Sequence, residues 1–165
     1  MRDLLALCHG KLPERRYAAG EMVVEEGHRI GKIFVLAEGM VEIIKHGVGF
    51  NTISEPGAVF GEMSVLLDSA HTATVKTLEP STFYVVENPL DFLRSTPEVA
   101  LTVAELLARR LHAMTTYLVD LKQQFEDHDN HFGMIDEVLD VLSHAQHEGH
   151  APGSDRDPDP NCGGD

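Results

Sequence analysis

Between Tyr17 and Val86 the apolar residues come in short runs: Met22-Val23-Val24, Ile33–Leu36, Val41–Ile44, Thr74–Thr77 and Phe83–Val86. Glycines punctuate them at Gly20, Gly27, Gly31, Gly39, Gly47, Gly49, Gly57 and Gly61. Runs rich in branched and aromatic residues, bounded by turn formers, predict strands. Strands at this spacing predict an all-β roll, barrel or sandwich. No helical segment links one run to the next, which argues against a parallel α/β sheet. Ahead of the strands, residues 1–13 read as a short helix ending at Pro13.

The pattern changes after Asn88-Pro89. Past Pro97 no glycine or proline occurs up to Phe125, and Leu107, Leu111, Met114, Leu118, Leu121 and Phe125 fall at alternating intervals of four and three. That is a heptad stripe on one long helix. Thr96 stands at the cap position and Pro97 at the first helical position. Such a stripe can pack on its own β domain or pair with a second copy. Its length exceeds what one small roll can cover, which predicts a homodimer through Pro97–Phe125. A shorter amphipathic helix follows over Phe132–Ala145, with Ile135, Val138, Leu139 and Leu142 on one face. From Glu148 onward Pro, Gly, Asp and Ser dominate, a composition that predicts disorder. The expected organisation is a β-roll with its N-terminal helix over 1–96, a long dimerisation helix over 97–126, a short amphipathic helix over 127–147 and a disordered acidic tail over 148–165.

Charge sharpens this division. The chain carries a formal net charge of −14, and residues 120–165 hold 12 acidic and 2 basic side chains, so −10 of the total lies there. The rest of the chain is close to neutral. Nucleic-acid affinity rests on Lys and Arg neutralising phosphates, so DNA is not an expected partner, and acidic membranes would repel the tail. No apolar run approaches the ~18 residues of a membrane span, and Leu4–Leu7 is too short for a signal peptide. Cys8 and Cys162 are the only cysteines. They build no disulfide framework, and the cytoplasm is the expected compartment.

The chemistry concentrates in Phe60-Gly61-Glu62-Met63-Ser64-Val65-Leu66-Leu67-Asp68-Ser69-Ala70-His71-Thr72-Ala73-Thr74-Val75. It reads as a strand end, a short helical turn over Met63–Leu67 and the start of another strand. Gly61 permits a close backbone approach. Amides at the start of a helical turn suit an anion, and Glu62 offers a carboxylate to a sugar hydroxyl. This segment resembles the phosphate-binding cassette of the cyclic-nucleotide-binding domain family. That family includes the catabolite-activator-type regulators, the cyclic-AMP-dependent kinase regulatory subunit and cyclic-nucleotide-gated channels. Tyr17–Gly27 resembles the family's opening hairpin, Ile33–Ile43 its next two strands, and Pro97–Ala100 with Ala108–Leu111 the dimer helix of the bacterial regulators. The resemblance implies an antiparallel β-roll or jelly roll, mainly β with flanking α, followed by a long C-terminal dimerisation helix. It implies no enzyme and no cofactor, with cyclic AMP or cyclic GMP as the ligand.

By the same resemblance Gly61 supplies an amide, Glu62 holds the ribose 2′-hydroxyl, and Met63 is a ligand-binding residue of the same turn. Thr72 and Ala73 contact the cyclic phosphate, and Met114 and Thr115 take the positions that meet the base. Two departures stand out. The family's hallmark arginine before Thr72 is His71 here, and Met114 replaces a hydroxyl side chain. A hydrogen bond to a charged group contributes ~1.5–3 kcal/mol, and a histidine of reference pKa ~6.5 recovers only part of it. Binding weaker than the family's, tightening as pH falls, is the expectation. A ligand-independent dimeric scaffold is the alternative. After Phe125 there remain 40 residues, acidic ones prominent among them, which predicts no helix-turn-helix. Signalling then passes through the C-terminal helices to an unidentified protein partner. His144 and His147, three apart, match no strong metal template, and His28, His46 and His71 are too scattered for a metal-dependent cupin.

Overall fold

The computed structural model describes residues 2–124 together with residues 138, 139 and 142. A short helix α1 (Arg2–Cys8) precedes eight strands: β1 (Glu14–Tyr17), β2 (Met22–Val24), β3 (Ile33–Glu38), β4 (Val41–Lys45), β5 (Val48–Ile53), β6 (Val59–Phe60), β7 (Thr74–Thr77) and β8 (Ser81–Val86). Helix α2 (Glu62–Leu66) interrupts them between β6 and β7, and α3 (Pro89–Ser95) and α4 (Pro97–Gln124) follow. The strands form two four-stranded sheets, in the orders β1-β8-β3-β6 and β2-β7-β4-β5. Every pairing is antiparallel. The fold is the mainly β roll with flanking helices that the sequence predicts.

The core between the sheets gathers Tyr17, Val23, Phe34, Leu36, Val41, Phe60, Val75, Phe83 and Val85. Phe83 is its hub, edge-to-face with Tyr17, Phe34 and Phe60 at centroid distances of 5.5, 6.4 and 6.2 Å. A second cluster lies on the outer face of the first sheet. There Ile33, Val35, Val59, Tyr84 and Val86 meet Leu4 and Cys8 of α1 and Val99 and Val103 of α4. Strands β3 and β8 therefore bury both faces, and their sequences read as unbroken apolar runs rather than as alternation. Strand β7 has one covered face and alternates.

The described elements are more numerous than the apolar runs. Strand β1 (Glu-Arg-Arg-Tyr) buries only Tyr17, β5 is exposed along nearly its whole length, and β6 has two residues. Helix α3 lies where the sequence shows only the Asn88-Pro89 break. Its Pro89 fills the first turn, where a missing amide costs nothing. Two compact units divide the chain, Met1–Arg109 and Arg110–Asp165. In the second, Leu111, Met114 and Tyr117 of α4 are 49%, 59% and 63% exposed. The expected helix over 127–147 and the tail over 148–165 lie outside the described residues apart from Val138, Leu139 and Leu142, which are helical. Among the described residues no helix is long and apolar enough to cross a membrane.

Candidate functional site

The cassette is built on Gly61. Its φ is 85°, in the left-handed region, and it stands at the head of α2. A Cβ there would lie 2.6 Å from the Lys32 carbonyl oxygen and 3.5 Å from Cε1 of His71. Only glycine fits both the backbone angle and the space. The chain turns there from β6 into one short helical turn, and Glu62 is carried inward, 2% exposed. Ser64 closes the turn: its hydroxyl donates to the Ser69 carbonyl at 2.5 Å. Arg29 reaches across to donate to a carboxylate oxygen of Asp68 at 2.8 Å and to the Asp68 carbonyl.

His71 is held by its backbone. Its amide donates to the His28 carbonyl at 2.9 Å, and its carbonyl accepts from the Gly27 amide at 2.9 Å. This bridge fixes the direction of the side chain, which turns into the protein and is 5% exposed. Its Nε2 is enclosed and has no hydrogen-bond partner among the described residues. Burial, then the neighbouring His28, holds its pKa below the ordinary histidine value, so the imidazole is neutral at pH 7. Thr72 is exposed and Ala73 half-buried.

Gly61, Glu62, Met63, His71, Thr72 and Ala73 thus share one loop-helix-loop segment of the first unit. Met63 is 41% exposed. Met114 and Thr115 belong to the second unit. The Thr115 hydroxyl already donates to the Leu111 carbonyl at 2.9 Å, an ordinary back-bond within a helix. The sequence reading did not find Ser64, the Lys32 carbonyl under Gly61, or Arg29 paired with Asp68. Of these only Ser64 left a signal, a small hydroxyl in the first turn of α2.

A cleft of about 380 Å³ is lined by Arg29, Ser64, Asp68, Glu87, Asn88 and Arg94 among others. Glu62 and His71 do not line it. Its charges are matched: Arg29 with Asp68 at 2.8 Å, Glu87 with Lys32 at 2.5 Å, and Arg94 with Asp91 at 3.7 Å. No group of three or more metal-ligating side chains occurs among the described residues.

A roll of two antiparallel sheets, with a glycine-headed turn carrying a buried glutamate between β6 and β7, matches one family model, the cyclic nucleotide-binding domain, over residues 14–92. The likeness to the cyclic nucleotide-binding domain family covers 79 of the chain's 165 residues. It is 30% identical over 122 residues to the cyclic AMP receptor protein of Thermus thermophilus, an alignment covering 64% of this chain and 56% of that protein. It is 30% identical over 76 residues to the cAMP-dependent protein kinase regulatory subunit of Yarrowia lipolytica, covering 46% of this chain and 20% of that one. Among solved structures, the catabolite activator protein of Thermus thermophilus superposes with a TM-score of 0.62 at 26% identity, over 74% of this chain and 60% of the other. The chain therefore spans only part of the length of these relatives. The match makes residues 14–92 similar to a domain of the cyclic-nucleotide-binding kind.

Proposed function

We propose that the protein is a non-enzymatic sensor of the cytoplasm that takes a cyclic nucleotide weakly in the Gly61–Ala73 cassette and signals through its C-terminal helices. The observation that carries this reading is Gly61 in the left-handed conformation, delivering Glu62 to a buried position within the turn that also ends on His71-Thr72. In this reading Glu62 accepts from the ribose hydroxyl, the Gly61 and Ala73 amides and the Thr72 hydroxyl meet the phosphate, and His71 takes the arginine's place. Met114 and Thr115 lie against the base. The exposed face of α4 at Leu111, Met114 and Tyr117 supports pairing of two chains along Pro97–Phe125. DNA and membranes are not partners in this reading.

Calorimetric titration of cyclic AMP and cyclic GMP at pH 6 and pH 8 tests it. A neutral His71 must gain a proton to pair with a phosphate, so a lower pH favours the complex. The titratable neighbour that acts on it is His28. Binding that weakens at pH 8 supports the sensor. Absence of heat at both pH values leaves the ligand-independent scaffold.

A further inference from the structure

We propose that the cassette does not read a phosphate at neutral pH. It holds a ribonucleoside, with an uncharged hydroxyl in the phosphate's place, at least as tightly as the matching cyclic monophosphate. The inference rests on the reading of Gly61–Ala73 as a ligand site and names the class of ligand that site takes.

The charge balance comes first. No Lys or Arg occurs between Lys45 and Lys76, whereas Glu62 and Asp68 both lie within the cassette. The cations of the neighbouring 29–32 segment are committed, Arg29 to Asp68 at 2.8 Å and Lys32 to Glu87 at 2.5 Å. A phosphodiester entering this segment gives up its water and gains no new countercharge from it. An anion taken out of water without a partner is far costlier to bury than a hydroxyl.

The hydrogen-bonding pattern points the same way. His71 is 5% exposed and its Nε2 has no partner among the described residues, a deficit that calls for an explanation. A neutral imidazole presents Nε2 as a donor in one tautomer and as an acceptor in the other. A phosphate oxygen can meet only the donor form. A hydroxyl donates and accepts, and meets both. The ring lies close to Gly61, with Cε1 3.5 Å from the place of a Cβ. A neutral hydroxyl that meets Nε2 carries no charge into the core.

Titration of adenosine, guanosine, cyclic AMP and cyclic GMP into the full chain at pH 8 tests the proposal, with His71→Arg as the companion. For at least one base, the dissociation constant of the nucleoside is expected to equal or fall below that of its cyclic monophosphate. In His71→Arg the order is expected to invert by tenfold or more. A wild-type preference above threefold for the cyclic monophosphate of both bases overturns the neutral-ligand inference and leaves the cassette as a cyclic-nucleotide site. No binding of any of the four to folded protein, at pH 6 as well as pH 8, overturns both readings. Nucleoside binding with no inversion in a folded His71→Arg overturns the role given to His71. Should that variant fail to fold, the wild-type ratio at pH 8 decides.

Discussion

His71 couples the cassette to pH through the stability of the chain as well as through any ligand. In the folded protein burial, then His28, lowers its pKa. In the unfolded chain the group titrates near ~6.5. Below that value the unfolded state binds the proton that the folded state refuses, so stability falls with pH. The contribution is therefore present above ~6.5 and lost on acidification toward the lowered folded value. Thermal midpoints measured from pH 7.5 to pH 5.5 should decline for the wild type. They should decline less steeply in His71→Gln, which cannot take the proton; parallel slopes would show that other groups govern the acid limb. Gly61 sets the other residue-scale limit. Gly61→Ala combines a left-handed φ of 85° with a contact 2.6 Å from the Lys32 carbonyl oxygen. About 1–3 kcal/mol of lost stability is expected in urea titration, and a neutral result would mean that the turn re-forms in another conformation. The sequence made Gly61, Glu62 and His71 visible as a motif, because their order along the chain carries the pattern. It could not reveal that the ring turns inward and leaves Nε2 without a partner among the described residues, since that follows from backbone pairing with Gly27 and His28 more than forty residues away.

At the scale of elements, legibility followed burial. Strands β3 and β8 are sandwiched between the inner core and the helical layer, so almost every residue is apolar and the strands declare themselves. Strand β5 packs little and reads as loop, although its hairpin with β4 is fixed by two left-handed residues, His46 and Gly47. Helix α3 was hidden because Phe92 and Leu93 are only partly buried against the outer cluster, and seven residues are too few to show a helical period. The same layering ranks substitutions. Phe83 is fully buried with three aromatic neighbours, and Phe83→Ala should cost about 3–5 kcal/mol. Phe50, 61% exposed on edge strand β5, should change stability by less than about 0.5 kcal/mol when truncated to Ala. Chemical denaturation of the two variants side by side measures the contrast. Comparable losses would mean that β5 is covered in solution by something the single chain does not provide.

At the scale of the whole molecule, the long helix and the roll make different demands on the same sequence. Over its first turns α4 buries Val99 and Val103 against the roll, and the four-three spacing then continues through Leu111, Met114 and Leu118. Leu107 begins the stripe read from sequence, yet it packs partly on the outer cluster of its own roll. Intramolecular packing thus claims the start of the stripe, and a partner chain is left Leu111 onward. Leu111 and Met114, 49% and 59% exposed, leave apolar side chains in water that a second helix would cover. Light scattering should give twice the chain mass for the wild type. The double variant Leu111→Glu/Met114→Glu sets like charges against each other across such a seam and should give the single-chain mass. Far-ultraviolet dichroism and the roll's urea midpoint should stay close to wild type, because neither residue belongs to either core cluster. A wild-type monomer at high protein concentration would remove pairing through α4 and return its exposed face to the search for a different protein partner.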